Sequence, residues 1–403
     1  MALRSAEGAD KERFVRTMEM KIKDICTSVT DGSHNPPQGI DNSEYMMLSS
    51  KNVFDDKITF DEPRFLSEED FKKEHKRTKV SVGDVLLTIV GTVGRTAVVD
   101  EDMPLFALQR SVAVLHPKTD DCLPRFLMYA LRGKRTFIEN RAKGVAQKGI
   151  YLKDVSDIDV QVPDISTQEM IINQLDKVDT IVKFRKEELL ALDNLIKARF
   201  VEMFGDESNP LGWDVVNVED VATVQVGVVI KPAQYYTDAA NGVRAFRSLN
   251  IGSMYIKDND WVYFSEEGNS KNAKSILKEN DLIIVRSGAP GTACVVTKEY
   301  AGCNAIDIII AHPDMNKVNP YYLCAYTNLP HGKRQIDEGT GGAAQQHFNV
   351  GKYNKLQLML PPIEKQDEFV LFMEQVDKSK VVIQAALDKS QLLFDSLMQK
   401  YFG

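Results

Sequence analysis

Asn35-Pro36-Pro37 sits inside the stretch DGSHNPPQG, Asp31 to Gly39. An Asn-Pro-Pro followed by an aromatic ring can hold a base's exocyclic amine beside a methyl donor, so base methylation is the first chemistry to weigh. A flipped base needs a stacking ring as well as hydrogen bonds to its amine. The fourth residue here is Gln38, which supplies no ring. A methyl donor would need a Gly-rich turn between a strand and a helix, and GTVG at Gly91 and GTGG at Gly339 are too short and wrongly placed for that. These residues read as a turn shaped by Gly32 and the two prolines.

Other chemistries fare no better. No G-x-x-x-x-G-K-[ST] loop is present to cradle ATP phosphates. Glu74-His75-Lys76 could form half of a nuclease acid-x-Lys pair, but it lies in the charged run EEDFKKEHKRTK and reads as a solvated face. The six histidines include no pair at metal-ligand spacing on a helix, and His116 and His312, each before a proline, read as repeated strand-end structure. The expectation is therefore no catalytic residue and no metal ligand in this chain.

The 403 residues suffice for two or three domains with cores of their own. With 43% hydrophobic and 27% charged residues the composition is that of a soluble protein, and no window nears the apolar length of a membrane helix. The opening MALRSAEGADKERFVRTM lacks the apolar segment of a signal peptide. Five scattered cysteines, never spaced as Cys-x-x-Cys, argue against a disulfide framework or a zinc site and for a reducing, cytoplasmic setting. The net charge of −8 is unfavourable for gripping nucleic acid unaided. It is unevenly spread: between Arg125 and Lys153 stand Arg125, Arg132, Lys134, Arg135, Arg141, Lys143, Lys148 and Lys153 against the single acid Glu139. That run reads first as a solvated face.

The elements that must position any site are written twice, about 198 residues apart. FLSEED at Phe65 returns as YFSEEG at Tyr263, and GDVLLTIVGTVGRTAVV from Gly83 aligns without gaps to NDLIIVRSGAPGTACVV from Asn280. His116-Pro117 returns as His312-Pro313, GVAQKGIYL as GAAQQHFNV, and VQVPDISTQ as LMLPPIEKQ. Each copy begins with short β-rich runs and Gly/Asp/Asn turns, with helical stretches near PRFLMYALRGKRTFIE and PYYLCAYTNLP. Each ends in a heptad stripe: Ile171, Leu175, Val178, Val182, Arg185, Leu189, Leu192, Ile196, Arg199, Met203, and in the same phase Phe369, Met373, Val376, Lys380, Ile383, Leu387, Ser390, Phe394, Leu397, Tyr401. Helices of this kind would run roughly 55 Å. No internal Pro or Gly interrupts them, and Gly205 and Gly403 stand where C-caps should. Two stripes in matched phase supply each other with a partner, closing a pseudo-two-fold repeat as an antiparallel coiled coil. The expected fold is mixed α/β: an N-terminal extension (1–18), a first globular domain (19–165), a long helix (166–205), a linker and second globular domain (206–363), and a second long helix (364–403).

This order resembles the specificity subunit of type I restriction-modification systems, over the whole chain apart from the first eighteen or so residues. The motifs carrying it are Asp31-Gly32-Ser33-His34 with a following Pro, the GDVLLTIVGTVGRTAVV segment, GVAQKGI, VPDISTQ and ARFVEMFGD. The resemblance implies a chain without a catalytic centre. Two target recognition domains would read the halves of an interrupted double-stranded DNA sequence, and the helices would set the gap. Two modification subunits would dock to methylate adenine, with restriction and translocase subunits able to join. Methyl donor and ATP would sit on those partners, with no cofactor here. The second copy reads VGVVIKP from Val226 in place of Asp-Gly-Ser-His, so a role for His34 need not be shared. NVFDDKITFDEPR and NIGSMYIKDNDWV share little beyond Asn52/Asn250, which predicts an asymmetric target.

Base edges and phosphates are met by Arg and Lys, and by Asn and Gln. The expected DNA-binding residues are Lys76, Arg77, Arg95, Arg110, Arg135 and Arg141 in the first copy, and Arg244, Arg247, Arg286, Lys333 and Arg334 in the second. Gln147 and Gln345 repeat in scaffold positions and read as structural or partner-facing. Three rivals remain open to the sequence: a stand-alone two-headed DNA-binding regulator, a self-sufficient DNA methyltransferase with a degenerate Asn-Pro-Pro, and a helical adaptor that ignores DNA.

Overall fold

Val85–Thr88 and Leu282–Val285 are buried at every position. Runs like these can form only inner strands of a sheet covered on both faces. The computed structural model, which describes residues 17–144, 148–340 and 348–403, places them so. One packing unit comprises the chain up to Lys186 together with Ala385–Gly403, and the other is Glu187–Gln384.

The first unit opens with β1 (Met18–Lys21), the single turn α1 (Ile22–Ile25), β2 (Cys26–Asp31) and β3 (Met46–Leu48). A hairpin, β4 (Val53–Phe54) and β5 (Lys57–Ile58), precedes β6 (Arg64–Phe65) and α2 (Glu68–Thr78). Next come β7 (Val85–Thr88), β8 (Thr96–Val98), β9 (Phe106–Leu108) and β10 (Val112–Pro117). The helices α3 (Pro124–Gly133), α4 (Arg135–Arg141) and α5 (Leu152–Ser156) then lead to β11 (Asp159–Val162) and into α6 (Ile165–Phe204). The central antiparallel sheet has the order β2-β10-β7-β8, a second has β6-β3-β9 with β3 and β9 parallel, and β1 pairs with β11. Alternation along the strands splits the core. Val85, Leu87, Ala113 and Leu115 face α3, α6 and the chain's last helix, while Leu86, Val112 and Val114 face Leu48, Phe106 and Leu108.

The second unit repeats this topology. Its elements begin with β12 (Asp214–Asn217), α7 (Val218–Val221), β13 (Ala222–Val226), β14 (Tyr236–Thr237), β15 (Gly242–Phe246), β16 (Val262–Ser265) and α8 (Glu266–Lys271). They continue with β17 (Leu282–Val285), β18 (Ala293–Val295), β19 (Asn304–Ala305), β20 (Ile308–Pro313), α9 (Pro320–Asn328) and α10 (Pro330–Thr340). The chain closes with α11 (Val350–Asn354), β21 (Gln357–Leu360) and α12 (Ile363–Phe402). The sheets are β13-β20-β17-β18, β14-β16-β15-β19 with β15 and β19 parallel, and β12-β21.

Both α6 and α12 are 40 residues long, about 60 Å at 1.5 Å per residue. All ten stripe positions on each are buried or partly buried. In the second unit the two run antiparallel, with Asp193 meeting Lys380 at 2.6 Å and Arg199 meeting Glu368 at 3.2 Å. In the first unit Phe394 and Phe402 of α12 join the core with Ile171 and Leu175 of α6, and Tyr401 Oη donates to Gln174 at 2.6 Å. Asp164 starts α6 by accepting from the Thr167 N–H at 2.9 Å, and Gly205, at φ 84°, ends it. No helix among the described residues is long and apolar enough to cross a membrane. All five cysteines are free and buried, and burial pushes the Cys26 and Cys122 thiols up to about 12.

Candidate nucleic-acid interface

The Asp-Gly-Ser-His segment leaves β2 against the turn that follows β9. A Cβ on Gly32 would lie 2.0 Å from the Leu108 carbonyl oxygen, so the position accepts no side chain. The Ser33 N–H donates to Leu108 O at 2.7 Å, and the Arg110 N–H returns to Ser33 O at 2.9 Å. Asp31, 8% exposed, accepts from Arg77 Nη2 at 2.9 Å and lies 2.8 Å from His34 Nε2, while Arg77 Nε donates to the Asp31 carbonyl at 3.1 Å. A buried carboxylate needs such partners. Arg77 is thus an anchor for Asp31, with its outer half still exposed.

Helix α2 brings Arg77 there. Ser67 caps it by accepting from the Asp70 N–H at 3.2 Å, Glu68, Glu69 and Asp70 occupy its first turn, and His75, Lys76 and Arg77 its last, as the helix dipole favours. Phe71 stacks on His75 and packs tilted against Tyr45, and His75 Nδ1 lies 3.1 Å from Phe106 O. His75 is therefore tied to β9 and is not part of a solvated face. Lys76 and Arg110 are exposed and make no side-chain ion pair or hydrogen bond among the described residues. Asn35 and Gln38 are exposed, and Pro37 O accepts from Arg64 Nη1 at 2.7 Å, so the Asn-Pro-Pro is a surface turn.

In the basic run from Arg125, two arginines are tied to acids, while Arg141, Lys143, Lys148 and Lys153 stay exposed. Arg125 bonds Asp176 at 2.7 Å and Asp56 at 3.1 Å, and Lys183 bonds Asp56 at 2.8 Å and Asp179 at 2.9 Å. Burial pushes the Asp56 carboxyl up, but Lys183 and Arg125 together hold it below the usual carboxylate range. Arg135 pairs with Asp55 and donates to Gly94 O at 3.0 Å. The β4–β5 turn is thereby fastened to α3, α4 and α6. The Arg95 guanidinium lies 4.9 Å from the Phe54 ring and that of Arg141 4.4 Å from the Phe137 ring. In the second unit Met254 N–H bonds Ala293 O at 2.8 Å just as Asp56 N–H bonds Thr96 O at 2.8 Å, but Met254 is packed against the apolar core.

All five expected cations of the second unit are engaged. Arg244 lies 3.6 Å from Asp258 and over Trp261, Arg247 pairs with Asp260, and Arg286 pairs with Asp307 and donates to Phe348 O at 3.3 Å. Lys333 bonds Asp337 at 2.8 Å and Pro290 O at 3.0 Å, and Arg334 pairs with Glu207. The structure thus gathers Lys76, Arg77 and Arg110 around the Asp31–His34 segment and sets Arg95 and Arg135 at the β4–β5 turn. Arg141 stands apart. Sequence reasoning passed over the acids Asp55, Asp56 and Asp307; only their mismatch between copies, Asp56 against Met254 for instance, hinted at them.

Residues kept in both copies are mostly frame. His116 Nδ1 meets Asp84 at 2.7 Å and His312 Nδ1 meets Asp281 at 2.5 Å. Gln168 accepts from Leu123 N–H at 2.8 Å and donates to Asp121 O and Pro163 O; Gln366 accepts from Asn319 N–H at 2.8 Å and donates to Lys317 O and Pro361 O. Asn52 and Asn250 each donate to the carbonyl nine residues on, Asp61 O at 2.9 Å and Asn259 O at 2.8 Å. Gln147 and Gln345 lie outside the described residues.

A duplicated α/β frame that differs between its copies in polar chemistry defines a protein with two related but unlike surfaces. The chain belongs to the type I restriction modification DNA specificity domain family, whose model matches residues 15–193 and again 210–390. It is 28% identical over 189 residues to the specificity subunit of the type I restriction enzyme EcoBI of Escherichia coli, covering 45% of this chain and 38% of that one. It is 21% identical over 172 residues to the MjaVIII specificity subunit of Methanocaldococcus jannaschii, covering 40% of each. The matched part is thus about two-fifths of these curated relatives' length. The crystal structure of a type I restriction-modification S subunit from M. genitalium shares the fold, with TM-score 0.57 and 13% identity over 98% of both chains.

Proposed function

We propose that this chain reads an interrupted, asymmetric DNA target, one half with each head, and directs adenine-N6 methylation by docked modification subunits. It has no catalytic centre of its own; partners hold the methyl donor and, where restriction subunits join, the ATP. The observation that carries this reading is the double occurrence of one frame with different exposed side chains, because two halves of an asymmetric target require the same fold to present different chemistry. The charge of −8 fits a chain that leaves many phosphate contacts to its partners.

The test is to co-express the full chain with candidate modification subunits and map methylated adenines across a genome. A two-part motif with a fixed gap is expected, and methylation without such a motif refutes the reading. Tight sequence-specific gel shifts by the purified chain alone would instead identify a stand-alone regulator, and methyl transfer by it alone, lost in Asn35→Ala, a self-sufficient enzyme.

A further inference from the structure

Resting on the reading of the heads as DNA readers, we infer that Arg110 and Asp307 make the two half-sites differ: Arg110 selects guanine in one half, and Asp307 selects cytosine in the other. The two residues occupy one place in the repeated frame. In the first unit Gly32 N–H bonds Val112 O at 3.3 Å, Ser33 N–H bonds Leu108 O at 2.7 Å, and Arg110 N–H bonds Ser33 O at 2.9 Å. In the second unit Gly227 N–H bonds Ile308 O at 2.9 Å, Val228 N–H bonds Ala305 O at 2.8 Å, and Asp307 N–H bonds Val228 O at 3.1 Å. Parallel bridges join Ser33 to Gln109 and Val228 to Ile306. Gly227 is as constrained as Gly32, since its Cβ would lie 2.5 Å from Ala305 O. The connection Ala305–Ile308 is one residue shorter than Leu108–Val112, and Asp307 absorbs the tighter path at φ 49°.

On this shared frame the backbone bonds are retained while the side chains change, buried and exposed alike. Asp31, Ser33 and His34 give way to Val226, Val228 and Val229, and a cation gives way to an acid. Arg110 projects from a backbone pinned on both sides, with its guanidinium exposed and unpaired among the described residues. Two parallel N–H donors on a fixed base match guanine O6 and N7. The Asp307 side chain is 48% exposed and held on one side by Arg286, itself only 18% exposed. A carboxylate so oriented accepts from the cytosine N4 amine and offers guanine O6 nothing.

The experiment uses the full chain co-expressed with its modification subunits, with methylated adenines mapped for wild type, Arg110→Gln, Arg110→Lys, Asp307→Asn and the double Arg110→Gln/Asp307→Asn. Arg110→Gln is expected to lower the preference for one guanine, in one half only, by about 10- to 100-fold. Arg110→Lys, which keeps the charge but not the fork, should relax the same position. Asp307→Asn should move one position of the other half from cytosine towards adenine, and the double variant should show both changes. An unchanged motif overturns the inference. So does uniform weakening at every position with a salt dependence shallower by about one phosphate, which makes Arg110 a backbone contact. A wild-type complex that methylates without a two-part motif would refute the proposed function itself, a different result from either.

Discussion

At the scale of single residues, the Asp–His pairs show how a repeated doublet can be legible while its reason is not. His116-Pro117 and His312-Pro313 stand out as a repeat, and Asp84 and Asp281 stand out within another. That each acid meets its own histidine becomes visible only when β7 is paired with β10 and β17 with β20. His116 donates from Nδ1 to Asp84 and from Nε2 to Thr78 O, 3.1 Å away, which calls for the protonated ring. The Asp84 bond raises its pKa above the ordinary 6.5 despite partial burial. Stabilisation from this pair is therefore full below 6.5 and is lost as pH rises through the raised value. Thermal unfolding of wild type should shift downwards across that window, and His116→Gln should lower the midpoint at acid pH and flatten the dependence. The cationic candidates show the converse. Choosing Arg and Lys by type could not tell that Arg135 is a fastener, because Asp55 reaches it from a distant segment.

At the scale of elements, the long helices were the most legible part, since a heptad stripe is a local pattern and every expected position proved buried or partly buried. Two of its polar positions find partners across the helix pair, Lys380 with Asp193 and Arg199 with Glu368. These are exposed enough to contribute little, so Lys380→Ala should cost under about 1 kcal/mol. Phe200 is different: its ring meets Phe204, Tyr322, Tyr326, His331 and Phe369 within the second unit. Phe200→Ala should cost about 3–5 kcal/mol, seen as early unfolding of the second unit in a denaturant titration. The short strands were far less legible. Elements such as β4, β5, β6 and β19 are two residues long, and β3 pairs in parallel with β9 some sixty residues away, so no periodicity could reveal them.

At the scale of the whole molecule, the first packing unit is not a single stretch of chain, whereas the second, Glu187–Gln384, is. The change in texture near residue 165 is plain in the sequence, but packing carries the first unit on to Lys186 and adds Ala385–Gly403 from the far end. Phe402 lies 5.4 Å from Phe126, Phe394 lies 6.3 Å from Tyr129, and a Cβ on Gly133 would lie 2.5 Å from that of Phe402. Deleting residues 385–403 should therefore leave the second unit resistant to limited proteolysis while the first is cut, although every cut falls before residue 187. The same arrangement bears on biosynthesis. A chain emerging from the ribosome completes the second unit's sequence before it has made the last helix turns that the first unit needs. The head synthesised first is thus the head finished last, and its α3 aromatics wait uncovered until residues 385–403 have emerged.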